Sequence, residues 1–301
     1  MKLHEPVMLN EVLNFLVPAH INNPTSLKII DCTLGTGGHT LALAKAGARV
    51  LALDADEEAI AIAKDRFEKE GVKDKVILVN ENFIKLPEVA KEKGFEEVEG
   101  VLFDLGVNTM QLTSEKRGFW FVNPRARLDM RLKKIGPTAA DLLNVLRKDQ
   151  LVTLFSRVLK KDQATILTKR VLTQRDKKPF KRIGEFLRLC KGIGEKKSLS
   201  QGTLPLLALR IAVNSEYENI QDALPQAFEI LKGGGKLAVI TFHSGEDKLV
   251  GDYFKKLEEA GKAKAEKPTF PSSLEIRKNA SARSAILRTL TNINGKQKQK
   301  E

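Results

Sequence analysis

The sequence predicts an α/β fold, in which a doubly wound and mostly parallel sheet is interrupted by a helical insertion. Three observations predict it: four apolar runs alternate with helical patterns in the first 105 residues, the alternation then stops, and it resumes near residue 216. Strands that alternate with helices favour a parallel sheet covered on both faces. A chain of 301 residues can hold such a domain and a sizeable insertion.

Hydrophobic periodicity assigns the individual elements. Residues 56–70 form the clearest helical pattern, because their apolar side chains recur every three or four positions. The first four predicted strands cover residues 27–30, 49–53, 76–79 and 98–103. Near the C-terminus the predicted elements are a helix at 216–231, a glycine turn at 233–235, a strand at 236–241, a helix at 246–260 and a strand at 285–291.

Between these two parts, residues 106 to about 213 show little strand signal and several basic helical stretches. Gly-Pro, Lys-Pro and Gly-Ile-Gly loop signals separate those stretches. We predict a sheet domain made of residues 1–107 and 212–301, and a helical domain made of residues 108–211. An insertion of about 100 residues is long enough to form its own core.

Composition points to a basic protein of the cytoplasm. The formal net charge is +13 and the pI is near 9.6, which favours a polyanionic partner such as RNA, or a membrane surface, over the alternative of a lysine-rich solvated surface. No apolar stretch approaches the roughly 18 to 20 residues of a membrane span. The two cysteines, Cys32 and Cys190, suggest no disulfide framework, and Cys32 is predicted to lie in the core.

A glycine-rich loop follows the first predicted strand. It reads Asp-Cys-Thr-Leu-Gly-Thr-Gly-Gly-His-Thr over residues 31–40 and opens a helix. Glycines let the backbone approach a ligand closely, and a helix N-terminus supplies unpaired N–H groups. Position 40 is Thr instead of the third Gly of a dinucleotide fingerprint, which disfavours a bound pyrophosphate. S-adenosylmethionine has no phosphate, so its binding site needs instead a loop that holds the amino-acid part of the molecule.

Other polar and aromatic residues follow the next predicted strands. Asp54 ends the second strand, where a carboxylate can accept hydrogen bonds from both ribose hydroxyls. Phe83 follows the third strand and Asp104 ends the fourth. Open α/β sheets bind ligands at the carboxyl edge. Singly, each residue is explained by a turn or a helix cap; together they indicate a nucleoside-cofactor site.

Successive motifs along nearly the whole chain resemble one family, the bacterial methyltransferases that act on N4 of a cytidine in the decoding region of small-subunit rRNA. The motifs are His4-Glu5-Pro6-Val7, residues 31–39, Leu53-Asp54-Ala55-Asp56, Asn82-Phe83, Asp104-Leu105-Gly106-Val107, Gln111-Leu112, Arg117-Gly118-Phe119, Leu128-Asp129-Met130-Arg131, residues 208–214, Phe242-His243-Ser244 with Glu246-Asp247, and Arg283-Ser284-Ala285.

The resemblance implies a Rossmann-like class I methyltransferase domain with a helical insertion and S-adenosylmethionine as cofactor. It also implies an rRNA or small-ribosomal-subunit partner. Methyl transfer is an in-line displacement at the sulfonium carbon, so no metal is required. Several insertion motifs differ here; Asn108-Thr109, for example, stands where the family has two serines. The implied cofactor contacts are Gly37, Gly38, His39, Asp54, Phe83, Asp104 and Gln111.

The chemistry needs an acceptor that holds a cytosine amine in its reactive orientation. Asp104 and Asn108 are the candidate catalytic pair, since they follow the fourth strand four residues apart. Asp104 as a cofactor contact only is the alternative.

An RNA-binding role is predicted for the aromatic and basic stretch after residue 116. Trp120, the only tryptophan, can stack on a splayed base while arginines grip phosphates, or the aromatics can form the core of the insertion. His243 follows a strand end and either lines the cleft or has a structural role. The predicted RNA contacts are Arg117, Trp120, Arg125, Arg127, Arg131 and His243.

Two other functions stay open from sequence. An NAD-dependent oxidoreductase fits the strand-helix alternation but not Thr40. An RNA-binding ribosome assembly factor with weak or lost catalysis fits the altered insertion. The sequence also leaves open whether the chain forms a homodimer.

Overall fold

The computed structural model describes residues 6–17, 27–106, 123–133, 135–194 and 200–294. It divides into two compact units. The first unit combines Met1–Gly106 with Glu218–Glu301, and the second is Val107–Tyr217. No helix among the described residues is long and apolar enough to cross a membrane.

Strands and helices alternate through the first part of the chain. The elements are α1 (Leu9–Leu16), β1 (Lys28–Asp31), α2 (Gly38–Lys45), β2 (Arg49–Leu53), α3 (Glu57–Lys69), β3 (Val76–Val79), α4 (Leu86–Lys93) and β4 (Val98–Asp104). Among the described residues, the helices that come next are α5 (Ala139–Val145), α6 (Lys148–Ser156), α7 (Lys161–Lys177), α8 (Ile183–Leu187) and α9 (Thr203–Val213). The chain continues with α10 (Glu216–Glu229), β5 (Leu231–Thr241), α11 (Ser244–Glu259), β6 (Ala263–Ala265), α12 (Ser273–Lys278) and β7 (Ile286–Asn292).

The seven strands form one sheet in the order β3-β2-β1-β4-β5-β7-β6. The pairs from β3 to β5 are parallel, whereas β7 runs antiparallel to both β5 and β6. The chain therefore winds outward from β1 in both directions, and the predicted doubly wound, mostly parallel α/β fold is confirmed. The carboxyl ends of β1, β2 and β4 meet at one edge, because these strands are parallel neighbours.

Both faces of the sheet are buried, which explains the continuous apolar runs. Successive side chains of a strand point to opposite faces. Accordingly Ile30 and Leu51 belong to one buried cluster, and Ile29 and Val50 belong to the other. Cys32 is 1% exposed within the first cluster, as the sequence predicted.

The structure corrects the glycine turn predicted at residues 233–235. These glycines lie within β5, which begins at Leu231. The register with β4 jumps from Val98↔Leu231 to Gly100↔Lys236, so the glycines lie in an irregular part of the strand instead of preceding it. Sequence reasoning also missed β6, whose three residues are too few to show a period.

The second unit is helical and has a buried core of its own, in which Phe155 and Phe186 stack with ring centroids 6.0 Å apart. Thr138 caps α5, because its hydroxyl accepts a hydrogen bond from the Asp141 N–H while the Asp141 carboxylate accepts one from the Thr138 N–H. Burial raises the pKa of the Cys190 thiol to about 12, so this buried side chain is an inert part of the core.

Candidate functional site

Three aspartates meet at the carboxyl edge of the sheet. Asp31 is the last residue of β1, Asp104 is the last residue of β4, and Asp54 directly follows β2. β1 pairs with both other strands, with Asp31 in register with Ala52 and Leu102. The parallel pairing therefore brings together carboxylates that lie 73 positions apart in sequence.

The glycine loop between β1 and α2 is held in a shape that favours glycine. Gly35 and Gly37 have φ angles of 53° and 78°, in the left-handed region. A Cβ atom at Gly37 would lie 2.6 Å from Cζ of Phe67, which is closer than real Cβ contacts. At Gly38 a Cβ would lie 3.1 Å from the ring of Pro6. The loop therefore presents bare backbone at the start of α2.

Asp54 ties this loop to the end of β2. Its Oδ2 accepts a hydrogen bond of 2.8 Å from the Gly35 N–H, and its Oδ1 accepts one of 2.8 Å from the Asp56 N–H. Burial nevertheless raises the pKa of Asp54 to about 6, and the neighbouring Asp56 and Asp31 add to the rise. The carboxylate is thus oriented by backbone donors and lacks a compensating charge.

Asp31 lies beneath the loop and is 1% exposed. Its Oδ2 accepts a hydrogen bond of 2.7 Å from the Thr40 hydroxyl, and its Oδ1 accepts one of 3.1 Å from the Thr33 N–H. Burial raises its pKa to about 6 despite these bonds. Thr40, which replaces the third glycine of the dinucleotide fingerprint, is therefore the partner of a buried acid.

Asp104 is joined to the same loop through its backbone and its side chain. Its N–H donates a hydrogen bond of 2.5 Å to Oγ1 of Thr33, and its Oδ2 lies 3.5 Å from Nδ1 of His39. Oδ1 is buried and has no hydrogen-bond partner within the described part of the chain. Burial, followed by the charges of Asp31 and Glu246, raises the pKa of Asp104 well above its usual value.

The end of β5 adds a second acidic group beside Asp104. Glu246, 1% exposed in the first turn of α11, accepts a hydrogen bond of 2.9 Å from the Phe242 N–H. Nε2 of His243 lies 3.2 Å from the other oxygen of Glu246, and His243 also caps α11 with its side chain. The ring of His243 is therefore engaged within its own loop and helix.

Phe83 packs against Phe103 near this edge of the sheet. It lies in a short 3-10 helix after β3, half-buried, with its ring edge-on to Phe103 and the centroids 5.4 Å apart. Phe103 directly precedes Asp104, so Phe83 packs beside the strand that carries the unpartnered carboxylate oxygen.

The predicted site residues are thus distributed unevenly. Hydrogen bonds or close polar contacts join Asp54, His39 and Asp104 to the glycine loop or to its neighbours, with Gly37 and Gly38 in the loop itself. Arg125, Arg127, and Arg131 lie in the helical unit. Sequence reasoning did not assign Asp31, Thr33 or Glu246 to the site, although Asp31 ends the first strand run, which is the same signal that identified Asp104. Asn108, Gln111, Arg117 and Trp120 lie outside the described residues.

Comparison with known proteins identifies the family. The model of the MraW methylase family matches residues 1–293. A ribosomal RNA small subunit methyltransferase H from Methylacidiphilum infernorum is 41% identical over 254 residues, which cover 84% of this chain and 78% of that protein. Another protein of that name, from Dictyoglomus thermophilum, is 34% identical over 290 residues, which cover 95% of each chain.

Among solved structures, an rRNA methylase from Streptococcus thermophilus is 14% identical, with a TM-score of 0.48 and coverage of 98% of this chain and 99% of that one. This likeness is too distant to bear on function. The family match over almost the whole chain confirms the methyltransferase prediction and its methyl donor, S-adenosylmethionine. The chain belongs to the MraW methylase family.

Proposed function

We propose that this protein transfers the methyl group of S-adenosylmethionine to the exocyclic N4 amine of a cytidine in the decoding region of small-subunit rRNA. The names of the similar proteins support an rRNA substrate, and the motifs from His4 to Ala285 support the cytidine target. An rRNA substrate in turn suggests a cytoplasmic location.

The observation that carries the choice of cofactor is the acidity of the loop site. Asp31, Asp54 and Asp104 all have raised pKa values, chiefly because they are buried. Within the described residues, none of the three forms an ion pair with a lysine or arginine. A ligand with positive charge reduces the repulsion among these three carboxylates, whereas the pyrophosphate of NAD adds to it.

S-adenosylmethionine fits these donors and acceptors. Its sulfonium and α-ammonium groups are cationic, so they suit the carboxylates around the loop. We assign Asp54 to the ribose hydroxyls, because it follows β2 and its carboxylate is oriented by two backbone N–H groups. The further proposed contacts are Gly37, Gly38, His39, Phe83, Asp104 and Gln111.

When bound, S-adenosylmethionine supplies an electrophilic methyl carbon, whose bond to sulfur breaks with the electron pair left on sulfur. The protein must align the amine with that bond, and alignment alone is worth up to about 7 to 11 kcal/mol. The amine nitrogen also loses a proton as its new bond to carbon forms. Oδ1 of Asp104, buried and without a partner among the described residues, offers an acceptor for that N–H. Asn108 is the second proposed catalytic residue.

The proposed RNA contacts rest on charge. With a net charge of +13 the chain suits a polyanion, and Arg125 and Arg127 are exposed in the helical unit. Arg117, Trp120 and His243 remain further proposed contacts. The Arg131 guanidinium forms two hydrogen bonds of 2.7 and 2.9 Å with the Asp129 carboxylate. We expect a mainly structural contribution from Arg131.

The test is to identify the nucleoside that receives the methyl group. Small ribosomal subunits that lack the modification are incubated with the protein and methyl-labelled S-adenosylmethionine, and the digested nucleosides are separated by mass spectrometry. Label on N4 of cytidine is the expected result. Label on a ribose oxygen, a ring carbon or a purine would overturn the cytidine assignment. Subunit binding without any transfer would favour the assembly factor.

A further inference from the structure

We propose that a short antiparallel ribbon in the helical unit, formed by residues 124–128 and 180–184, binds the phosphate backbone of the substrate RNA. We call it the basic ribbon. This inference rests on the proposed function, in that it takes RNA as the polyanion. Arg127 and Arg182 face each other as an isolated bridge within it, although they lie 55 positions apart in sequence.

Backbone hydrogen bonds join the two strands of the basic ribbon. The N–H of Leu128 donates to the carbonyl of Lys181 at 3.1 Å, and the N–H of Ile183 donates to the carbonyl of Ala126 at 3.0 Å. The N–H of Gly184 donates to the carbonyl of Pro124 at 2.9 Å. The strands approach closely at this end, where a Cβ on Gly184 would lie 2.8 Å from the Pro124 oxygen. The ribbon is therefore a defined structural element.

Its side chains separate into a buried set and a charged, exposed set. Ala126, Leu128, Phe180 and Ile183 are buried in the core of the helical unit. Apart from Pro124, the exposed residues of the ribbon are four cations, Arg125, Arg127, Lys181 and Arg182.

The nearby acids are already committed to other partners. Asp129 forms the two-bond ion pair with Arg131. Oε2 of Glu185 accepts hydrogen bonds from the backbone N–H groups of Lys181 and Arg182, at 2.7 and 2.9 Å, and its other oxygen lies 3.4 Å from Nζ of Lys178. Among the described residues, no carboxylate forms an ion pair with the four exposed cations of the ribbon.

This arrangement is unfavourable for a protein by itself. Like charges directly opposite each other on paired strands destabilise the pair. A polyanion supplies the missing counter-charge, and arginine forks match phosphate oxygens in a bidentate manner. The Asp129 carboxylate interacts electrostatically with Arg127 but forms its ion pair with Arg131. The facing pair of Arg127 and Arg182, which has no ion-pair partner among the described residues, therefore points to a phosphate-bearing occupant.

The basic ribbon is also held in place before any ligand arrives. The Asn144 side chain clamps its second strand, because Oδ1 accepts from the Phe180 N–H at 2.9 Å and Nδ2 donates to the Phe180 carbonyl at 3.0 Å. Nη1 of Arg182 donates to the carbonyl of Arg125 on the first strand. Binding to such an element loses little conformational entropy.

The experiment compares two double variants with the same change in charge. Arg127→Ser with Arg182→Ser removes the facing pair. Lys160→Ser with Lys161→Ser is the control. These exposed lysines lie at the start of α7, whose 17 residues span about 25 Å, whereas the second strand of the ribbon follows the other end of that helix. Binding of a fluorescent single-stranded oligoribonucleotide from the decoding region is measured by anisotropy across a salt series.

We expect the ribbon variant to lower the slope of log affinity against log salt by about 1.4, at about 0.7 for each lost phosphate contact. If the ribbon variant and the wild type bind RNA equally at 1 M salt, the affinity of the variant at 0.1 M salt is about 25-fold lower than that of the wild type. The control should change the slope less. Equal effects of the two double variants would mean a general surface-charge effect and would overturn the proposal, as would an unchanged slope.

Thermal unfolding separates a binding role from a structural one. Arg127→Ser alone relieves the like-charge contact and keeps the bond from Arg182 to Arg125, so its melting temperature should stay unchanged or rise while RNA binding weakens. A lower melting temperature with unaltered RNA binding would make the pair structural and refute the proposal. Identification of the labelled nucleoside tests the proposed function separately. If the wild-type protein labels another base, the cytidine assignment fails, and a difference in RNA binding between the two double variants still supports the ribbon.

Discussion

His39 and Asp104 face each other with 3.5 Å between Nδ1 of the ring and Oδ2 of the carboxyl group. Nε2 of the same ring lies 2.9 Å from the Val7 carbonyl, which can only accept, so Nε2 carries a hydrogen. A bond between Nδ1 and Oδ2 therefore requires one further proton, held by the ring or by the carboxyl group. The pair connects the N-terminal segment to the end of β4.

Replacement of Asp104 by Asn tests its role as the acceptor for the amine. The amide keeps the shape of the carboxyl group but cannot take up a proton, so the single-turnover rate of methyl transfer should fall by about 100-fold or more. Cofactor affinity should change much less. Asn108→Ala is the matched probe of the second proposed catalytic residue. A large loss of S-adenosylmethionine affinity with a normal rate at saturation would make Asp104 a cofactor contact only.

Asp54→Ala should weaken S-adenosylmethionine binding by about 1.5 to 3 kcal/mol, because hydrogen bonds to a charged acceptor are lost. The Gly35 and Asp56 N–H groups also lose their acceptor, which loosens the loop. Isothermal calorimetry measures the change. Asp54→Asn, which keeps one oxygen acceptor, should lie between the variant and the wild type. Unchanged affinity in the alanine variant would refute the ribose assignment.

Affinity for S-adenosylmethionine should fall as the pH drops below about 6. A cationic ligand favours the ionised carboxylates, and the pKa values of Asp31 and Asp54 are raised to about 6. Below that pH the carboxyl groups are protonated and must release a proton on binding, which costs up to about tenfold in affinity per pH unit for each linked group. Calorimetry in buffers of different ionisation enthalpy reports the proton release directly. Affinity independent of pH between 5 and 8 would contradict the acidic-site argument.

Asp31→Asn should stabilise the ligand-free protein at pH 8. The folded-state pKa of Asp31 is raised from 3.8 to about 6, so its contribution to stability is greatest below pH 3.8 and is lost as the pH rises through about 6. A shift of about two units corresponds to about 3 kcal/mol. The Thr40 hydroxyl can rotate to accept from the new amide. Urea unfolding at pH 4 and pH 8 measures the difference, which should nearly vanish at the lower pH; destabilisation at pH 8 would show that the carboxylate is stabilising.

Gly37→Ala should destabilise the fold and weaken cofactor binding. Its φ of 78° is strained for alanine by about 1 to 2 kcal/mol, and the new Cβ would meet Phe67 at 2.6 Å. Gly71→Ala is the control, because Gly71 has a similar φ of 69° but nothing within 4 Å of the added atom. The difference between the two variants in urea unfolding isolates the clash. Equal destabilisation of both would show that Phe67 moves aside freely.

Local patterns in the sequence were enough to predict the first half of the sheet. β2 and β3 begin and end where the apolar runs predict, β1 is shifted by one residue at both ends, and β4 extends one residue further. This succeeds because burial on both faces makes each strand a short continuous apolar run. The position of Asp54 and Asp104 at strand ends followed from the same runs.

Tertiary structure alone decided which distant residues meet. It placed Asp31 beside Thr40 and Asp104 beside His39, inserted β7 antiparallel between β5 and β6, and paired Arg127 with Arg182. It also separated Arg131, which is bonded to Asp129, from Arg127, which is not in an ion pair among the described residues. Hydrophobic period and residue type are local properties, whereas the partner of a charged side chain is set by chain segments that fold against it from tens of positions away.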